Sequence, residues 1–172
     1  LVEELDLYLD EEEDELPMEE IDASKDANKY KEIIKIYHQS PEKTIKNLVF
    51  KVDGEKFVCV TIRGDYKVDF TKLRRLLTYK QIRPATTDEI AELGSHIGYV
   101  SAIGLDPDVE LIIDETVKFN KNLWDGAHKD RVFRANVNFE RDFKNKDTVD
   151  VHEDKVFSAG GDKIVMCDRC DY

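Results

Sequence analysis

The sequence is poor in cysteine, proline and long apolar runs. Three cysteines (Cys59, Cys167, Cys170) exclude a disulfide framework and fit a reduced, cytoplasmic protein. Four prolines and eight glycines exclude collagen-like and Gly/Pro-rich low-complexity chains. The longest apolar stretches, Phe57–Val60 and Val109–Ile113, fall far short of the roughly 20 residues a membrane span needs. No charged-then-apolar signal opens the sequence. Excess positive charge is absent too: the formal net charge is −12 over 172 residues. Eleven acids and no lysine or arginine lie in residues 1–20, whereas twenty-six bases face twenty-seven acids in residues 21–172. The body is therefore near neutral. Bulk electrostatics alone does not point to a nucleic-acid binder.

What is present is enough apolar material, 41% of the residues, for one ordinary core. Residues 1–23 read as a solvated, flexible acidic leader whose like charges repel. Tyr30, Ile33, Ile34 and Tyr37 predict a helix at about 25–38, and Ser40-Pro41 opens a short turn. Thr44–Val52 and Lys56–Ile62 predict a hairpin through Asp53-Gly54. Asp69 caps a helix near Thr71–Leu77, and a strand follows at Gln81–Ala85. A third helix opens at Thr87 and stops at Gly94. Asp106-Pro107-Asp108 is a turn before a central strand, Val109–Ile113. Phe119–Lys129 reads as loop and Arg131–Asn138 as strand, with a polar extension over 144–172 that holds a short strand at 163–166. This irregular alternation predicts an α+β or α/β domain.

Chemistry-bearing residues are few. His38, His96, His128 and His152 show no metal spacing, and the lone Cys167-Asp168-Arg169-Cys170 lacks a second pair. There is no GxSxG and no P-loop. Asp114 ends an apolar strand, where an ionised carboxylate needs a partner or a task. Lys46 lies in a strand between Ile45 and Leu48. It either faces solvent at a sheet edge or projects into a cleft, and periodicity favours solvent. Lys72, Arg74 and Arg75, and Lys43, Lys46 and Lys51, form two local basic groups.

The segment SPEKTIKNLVFKVDGEKFVCVTIRGDYKVDFTKLRRLL (40–77) resembles the editing domain inserted in bacterial-type prolyl-tRNA synthetases, of the YbaK-like deacylase superfamily. The resemblance runs on through PATTDEIAEL, GYVSAIGL, LIIDETV and GAHKDRVFRANVNFERDF, in family order, over about residues 28–143. It implies an α+β fold, with a mixed, barrel-like sheet flanked by helices over 24–143. It also implies cis hydrolysis of the ester in alanine-charged tRNA(Pro). A proline pocket rejects the smaller alanine by only about 1–3 kcal/mol, so a second sieve is needed.

By resemblance, Lys46 is the essential lysine that holds a phosphate or the terminal adenosine. Gly98 and Gly104 bring backbone N–H groups to the substrate carbonyl beside Leu105, and Asp114 shapes the alanine pocket. No cofactor is implied, ATP being used only by a synthetase core that 172 residues cannot hold. The implied partners are the acceptor end of tRNA(Pro) and the rest of a synthetase, with neither membrane nor DNA. Phe133 stands where the family has a histidine, and His128 where it has an asparagine. A phenylalanine is larger and cannot hydrogen-bond, so weakened hydrolysis or a narrower pocket is expected. A non-catalytic acceptor-end binding module and a free-standing deacylase for another mischarged tRNA are the alternatives. Residues 152–172 resemble a synthetase core segment that ordinarily precedes the inserted domain.

Overall fold

The computed structural model describes residues 13–24, 40–78 and 80–155. The expected helix at 25–38, the strand at 163–166 and the Cys167–Cys170 pair lie outside the described residues.

The β-branched pattern of the first half folds as a hairpin. Strand β2 (Ile45–Val52) pairs antiparallel with β3 (Lys56–Arg63). Asp53 and Gly54 both take left-handed φ, 51° and 69°, which suits the tight turn between twisted strands. Side chains alternate across the hairpin. Phe50, Val52, Val58, Val60 and Ile62 face one core with Leu73 and Leu77, while Val49 and Cys59 face a second with Ile90 and Val100. Helix α1 (Phe70–Leu76) is capped by Asp69, which accepts from the N–H groups of Thr71 and Lys72. Helix α2 (Thr87–Glu92) begins with a reciprocal capping box between Thr86 and Glu89.

Strands β4 (Ile82–Pro84) and β5 (Glu110–Ile113) complete a four-stranded mixed sheet in the order β4-β2-β3-β5, with β5 parallel to β3. The expectation that 109–113 is central is corrected: β5 is the last strand. It is apolar because side chains cover it. Ile112 packs into the α1 core and Ile113 into a cluster with Val117, Leu123 and Val137.

A second, antiparallel sheet has the order β1-β7-β6, from β1 (Glu19–Asp22), β6 (Leu123–Gly126) and β7 (Val132–Val137). Two expectations change here. Residues 119–129 are not all loop, since β6 pairs with β7 across a bulge at Leu123–Asp125. Nor is the leader solvated throughout, since β1 pairs with β7 from Glu19 to Asp22. Upstream of it, the N–H of Leu16 donates to Asn122, and Glu13 pairs with Lys43 at 2.7 Å. Backbone hydrogen bonding orders this acidic stretch without needing an apolar face.

The two sheets meet at an isolated bridge, Thr44 to Trp124. Among the described residues they do not close into the barrel-like sheet that the resemblance implies. Strand β4 pairs with β2 only over Phe50–Val52, and the N–H of Ala85 reaches the carbonyl of Val49. Beyond that point β4 leaves the edge of β2 uncovered, and the seam between the sheets stays open.

Candidate functional site

A cleft of about 640 Å³ follows that seam. Its wall is Thr44 and the edge of β2 from Ile45 to Phe50, and its far side is Trp124, Asp125 and Gly126 of β6 with Phe133 of β7. Ile97, Gly98 and Val100 also line it, as do Lys67, Phe70 and Glu153.

The structure divides the residues singled out from the sequence. Lys46, Gly98 and Phe133 line the cleft. Lys46 is half-buried, which overturns the solvent-facing reading from periodicity: the edge it occupies borders the cleft. Phe133 is 7% exposed and packs edge-on against Tyr99, with ring centroids 5.3 Å apart.

Gly104, Leu105, His128 and Asp114 are not among the lining residues. Leu105 packs against the Val49–Ile90 core. The His128 ring is spoken for at both nitrogens: Nε2 lies 2.7 Å from the carbonyl of Ile103 and Nδ1 2.7 Å from Ser95 Oγ. A carbonyl only accepts, so Nε2 carries the proton and Nδ1 accepts from the serine. Burial lowers the pKa of this ring, in keeping with the neutral form. Gly104 sits beside that ring, at φ 72°.

Asp114 is wholly buried behind the sheet. It accepts from Thr116 and from the N–H of Val151, and its Oδ1 lies 3.1 Å from Nδ1 of His152. Asp114, Asp150 and His152 bring potential metal-ligand atoms within 4.8 Å of one another. Lys72 Nζ, however, sits 3.0 Å from Asp150 and donates to the carbonyl of His152, so a cation already occupies that corner. His152 is buried here.

The basic groups are largely engaged as well. Lys43 pairs with Glu13, Lys51 with Glu89 and Lys72 with Asp150. The two lysines on the cleft are Lys46 and Lys67. Cys59 offers no nucleophile, because burial pushes its thiol up to about 12.

One residue escaped the sequence reading. Asp125 is 2% exposed and lines the cleft. Its Oδ1 accepts from Asn47 Nδ2 at 2.7 Å and from the N–H of Gly126 at 2.9 Å; its Oδ2 accepts from Ser101 Oγ at 2.6 Å. Asn47 in turn accepts from Thr61 Oγ1 and donates to the carbonyl of Val100. The polar chain thus crosses from the hairpin to β6. Its sequence signal was faint: Trp124-Asp125-Gly126 reads as a turn unless the strand is known.

Burial pushes the Asp125 carboxyl from 3.8 up to about 6, against the opposing pull of its hydrogen bonds and the Arg134 charge. The folded protein therefore holds that proton more tightly than the unfolded chain does. The stability it contributes is full below about pH 4 and is lost as pH rises through about 6. Relative to Asp125→Asn, wild type should lose on the order of 3 kcal/mol across that window. Urea unfolding of both proteins at a series of pH values measures the difference. Parallel curves would contradict the assignment.

Comparison with known proteins agrees with this architecture. A family model described as an aminoacyl-tRNA editing domain matches residues 24–141. A proline–tRNA ligase of Bacillus velezensis is 37% identical over 142 residues, 80% of this chain and 25% of that enzyme. One from Bacillus cereus is 33% identical over 157 residues, 91% of this chain and 27% of the enzyme. The chain thus spans about a quarter of the length of these relatives. A solved candidate trans-editing enzyme for prolyl tRNA synthetase shares the fold at TM-score 0.58 and 24% identity, over 69% of this chain and 76% of that one. The chain therefore belongs to the aminoacyl-tRNA editing domain family, as a YbaK-like domain related to the editing domains of prolyl-tRNA synthetases.

Proposed function

We propose that the domain hydrolyses the ester of alanine wrongly attached to tRNA(Pro), acting in cis as part of a prolyl-tRNA synthetase. The observation that carries this reading is the cleft, with Lys46 on the uncovered edge of β2. At about 640 Å³ it has room for far more than an alanine side chain, as a site that must also take the terminal nucleotide requires. The cationic side chains of Lys46 and Lys67 suit the phosphates of the acceptor end. The apolar side chains of Trp124, Phe133 and Val100 suit a small aliphatic residue.

An aminoacyl ester is already activated, so a positioned water suffices. Orientation by Lys46 and by backbone N–H groups near Gly98, together with a ribose hydroxyl of the substrate, supplies the catalysis, with no covalent intermediate and no cofactor. The near-neutral body implies that the isolated chain binds tRNA weakly and in a salt-dependent way. A synthetase body holding the same tRNA would raise the effective concentration.

The test is alanine release from Ala-tRNA(Pro), with Gly-tRNA and Pro-tRNA(Pro) as comparators. Release should favour alanine, and Lys46→Ala should lower kcat/KM about 10–100-fold, in the range expected for losing a charge-assisted contact. No release from any substrate, with tRNA binding intact, would leave an acceptor-end binding module and mark Phe133 as the lesion.

A further inference from the structure

Hydrolytic editing at this cleft poses an electrostatic demand that the lysines do not meet. An aminoacyl ester carries its negative charge on the nucleotide and a positive charge on the α-amino group. Burying the amino-acid end strips that ammonium of water, which is costly unless a partner replaces it. The cleft has two carboxylates, Glu153 and Asp125. Glu153 is exposed and its N–H donates to the carbonyl of Lys67, whereas Asp125 is buried on the wall that also carries Trp124 and Phe133.

Taking the proposed function as its basis, we propose that Asp125 receives the α-ammonium of the aminoacyl group and so sets the orientation of the ester in the cleft. Three features carry the assignment. The carboxylate is held by groups from three segments, Asn47 of β2, Ser101, and the N–H of Gly126, and so is preorganised. All three donors are neutral, so the buried charge lacks a directly bonded counter-ion, while Arg134 bonds the hydroxyl of Ser101. A carboxylate accepts about four hydrogen bonds, and these three leave one lone pair on Oδ2. Lys46 lines the same cleft, so the cleft offers both a cation for the phosphate and an anion for the amine.

The experiment compares Ala-tRNA(Pro) with N-acetyl-Ala-tRNA(Pro), which keeps the ester but has no ammonium. Wild type and Asp125→Asn are each assayed for kcat and KM, and thermal unfolding confirms that both are folded. The expected result is a fall of about 10–100-fold in kcat/KM on the free-amine substrate in the variant, with the acetylated substrate changed less than about twofold. The preference for a free amine then collapses. An equal fall on both substrates would overturn the proposal in favour of a general-base or structural role, and so would an unchanged ratio.

Should wild type release alanine from neither, the hydrolytic reading fails by itself. Equilibrium binding of amide-linked 3′-alanylamino-adenosine, free or N-acetylated, then decides the inference. Selective binding of the free amine that Asp125→Asn abolishes upholds it, and equal binding of the two forms sinks it.

Discussion

Asp114→Ala is expected to lower the unfolding free energy by about 3–5 kcal/mol, read as a lower urea midpoint. The carboxylate is fully buried and sits opposite four donors. Oδ2 accepts from the N–H of Thr116 at 3.0 Å and its hydroxyl at 2.6 Å; Oδ1 lies 2.8 Å from the N–H of Val151 and 3.1 Å from Nδ1 of His152. Alanine strands the Thr116 and Val151 donors inside the protein and leaves His152 Nδ1 only Asp150, at 3.2 Å. The damage also propagates. The segment 149–152 is tied to β5 through this side chain and through two backbone bonds between Val149 and the Ile113–Glu115 stretch, and it delivers Val151 to the main core. The pocket-shaping role that the resemblance implies for Asp114 makes the opposite prediction. A wild-type midpoint with lost alanine release would support that role and refute the structural one.

Asp114 also shows where sequence reasoning stops. That an acid ending an apolar strand needs a partner was legible; that the partners stand 37 and 38 residues downstream was not. The β2–β3 hairpin was legible because both of its causes are local, the two-residue alternation and the Asp53-Gly54 turn. Helix α2 was legible from its opening at Thr87 and its stop at Gly94, whereas the Thr86–Glu89 capping box emerges only in the structure. Strands β1 and β6 were not. Their residues, EEID and LWDG, are selected by backbone pairing with β7 rather than by an apolar face. The same gap hid the site. Lys46 looks solvent-facing until the second sheet sets Trp124 and Phe133 across the seam from it, and Asp125 looks like a turn residue until β6 exists. Local pattern thus reached the scaffold, and the cleft arises only from the docking of two sheets.

Strand β6 packs closely on the Tyr99 segment at one glycine, and Gly126→Ala is expected to cost about 3 kcal/mol, the upper part of the range for overpacking. A Cβ on Gly126 would stand 2.3 Å from the carbonyl oxygen of Tyr99, 2.5 Å from its carbon and 2.8 Å from its Cα. These are backbone atoms and cannot rotate aside. The same carbonyl accepts from the N–H of His128 at 2.8 Å, so moving it breaks a second contact. Tyr99 in turn packs against Phe133, and both Gly126 and Phe133 line the cleft. The variant should therefore lose Tm by roughly 6–12 °C for a chain of this size and lose alanine release with it. Gly104→Ala provides the contrast. Its Cβ would meet only the far edge of the His128 ring at 3.8 Å, so its cost is that of a left-handed φ of 72°, about 1–2 kcal/mol, at a site off the cleft. Thermal melts of the two variants should rank Gly126→Ala as the more damaging. The reverse order would mean that β6 can shift against the Tyr99 segment at little cost, and that the β6 wall of the cleft is not fixed by the close approach of these two backbones.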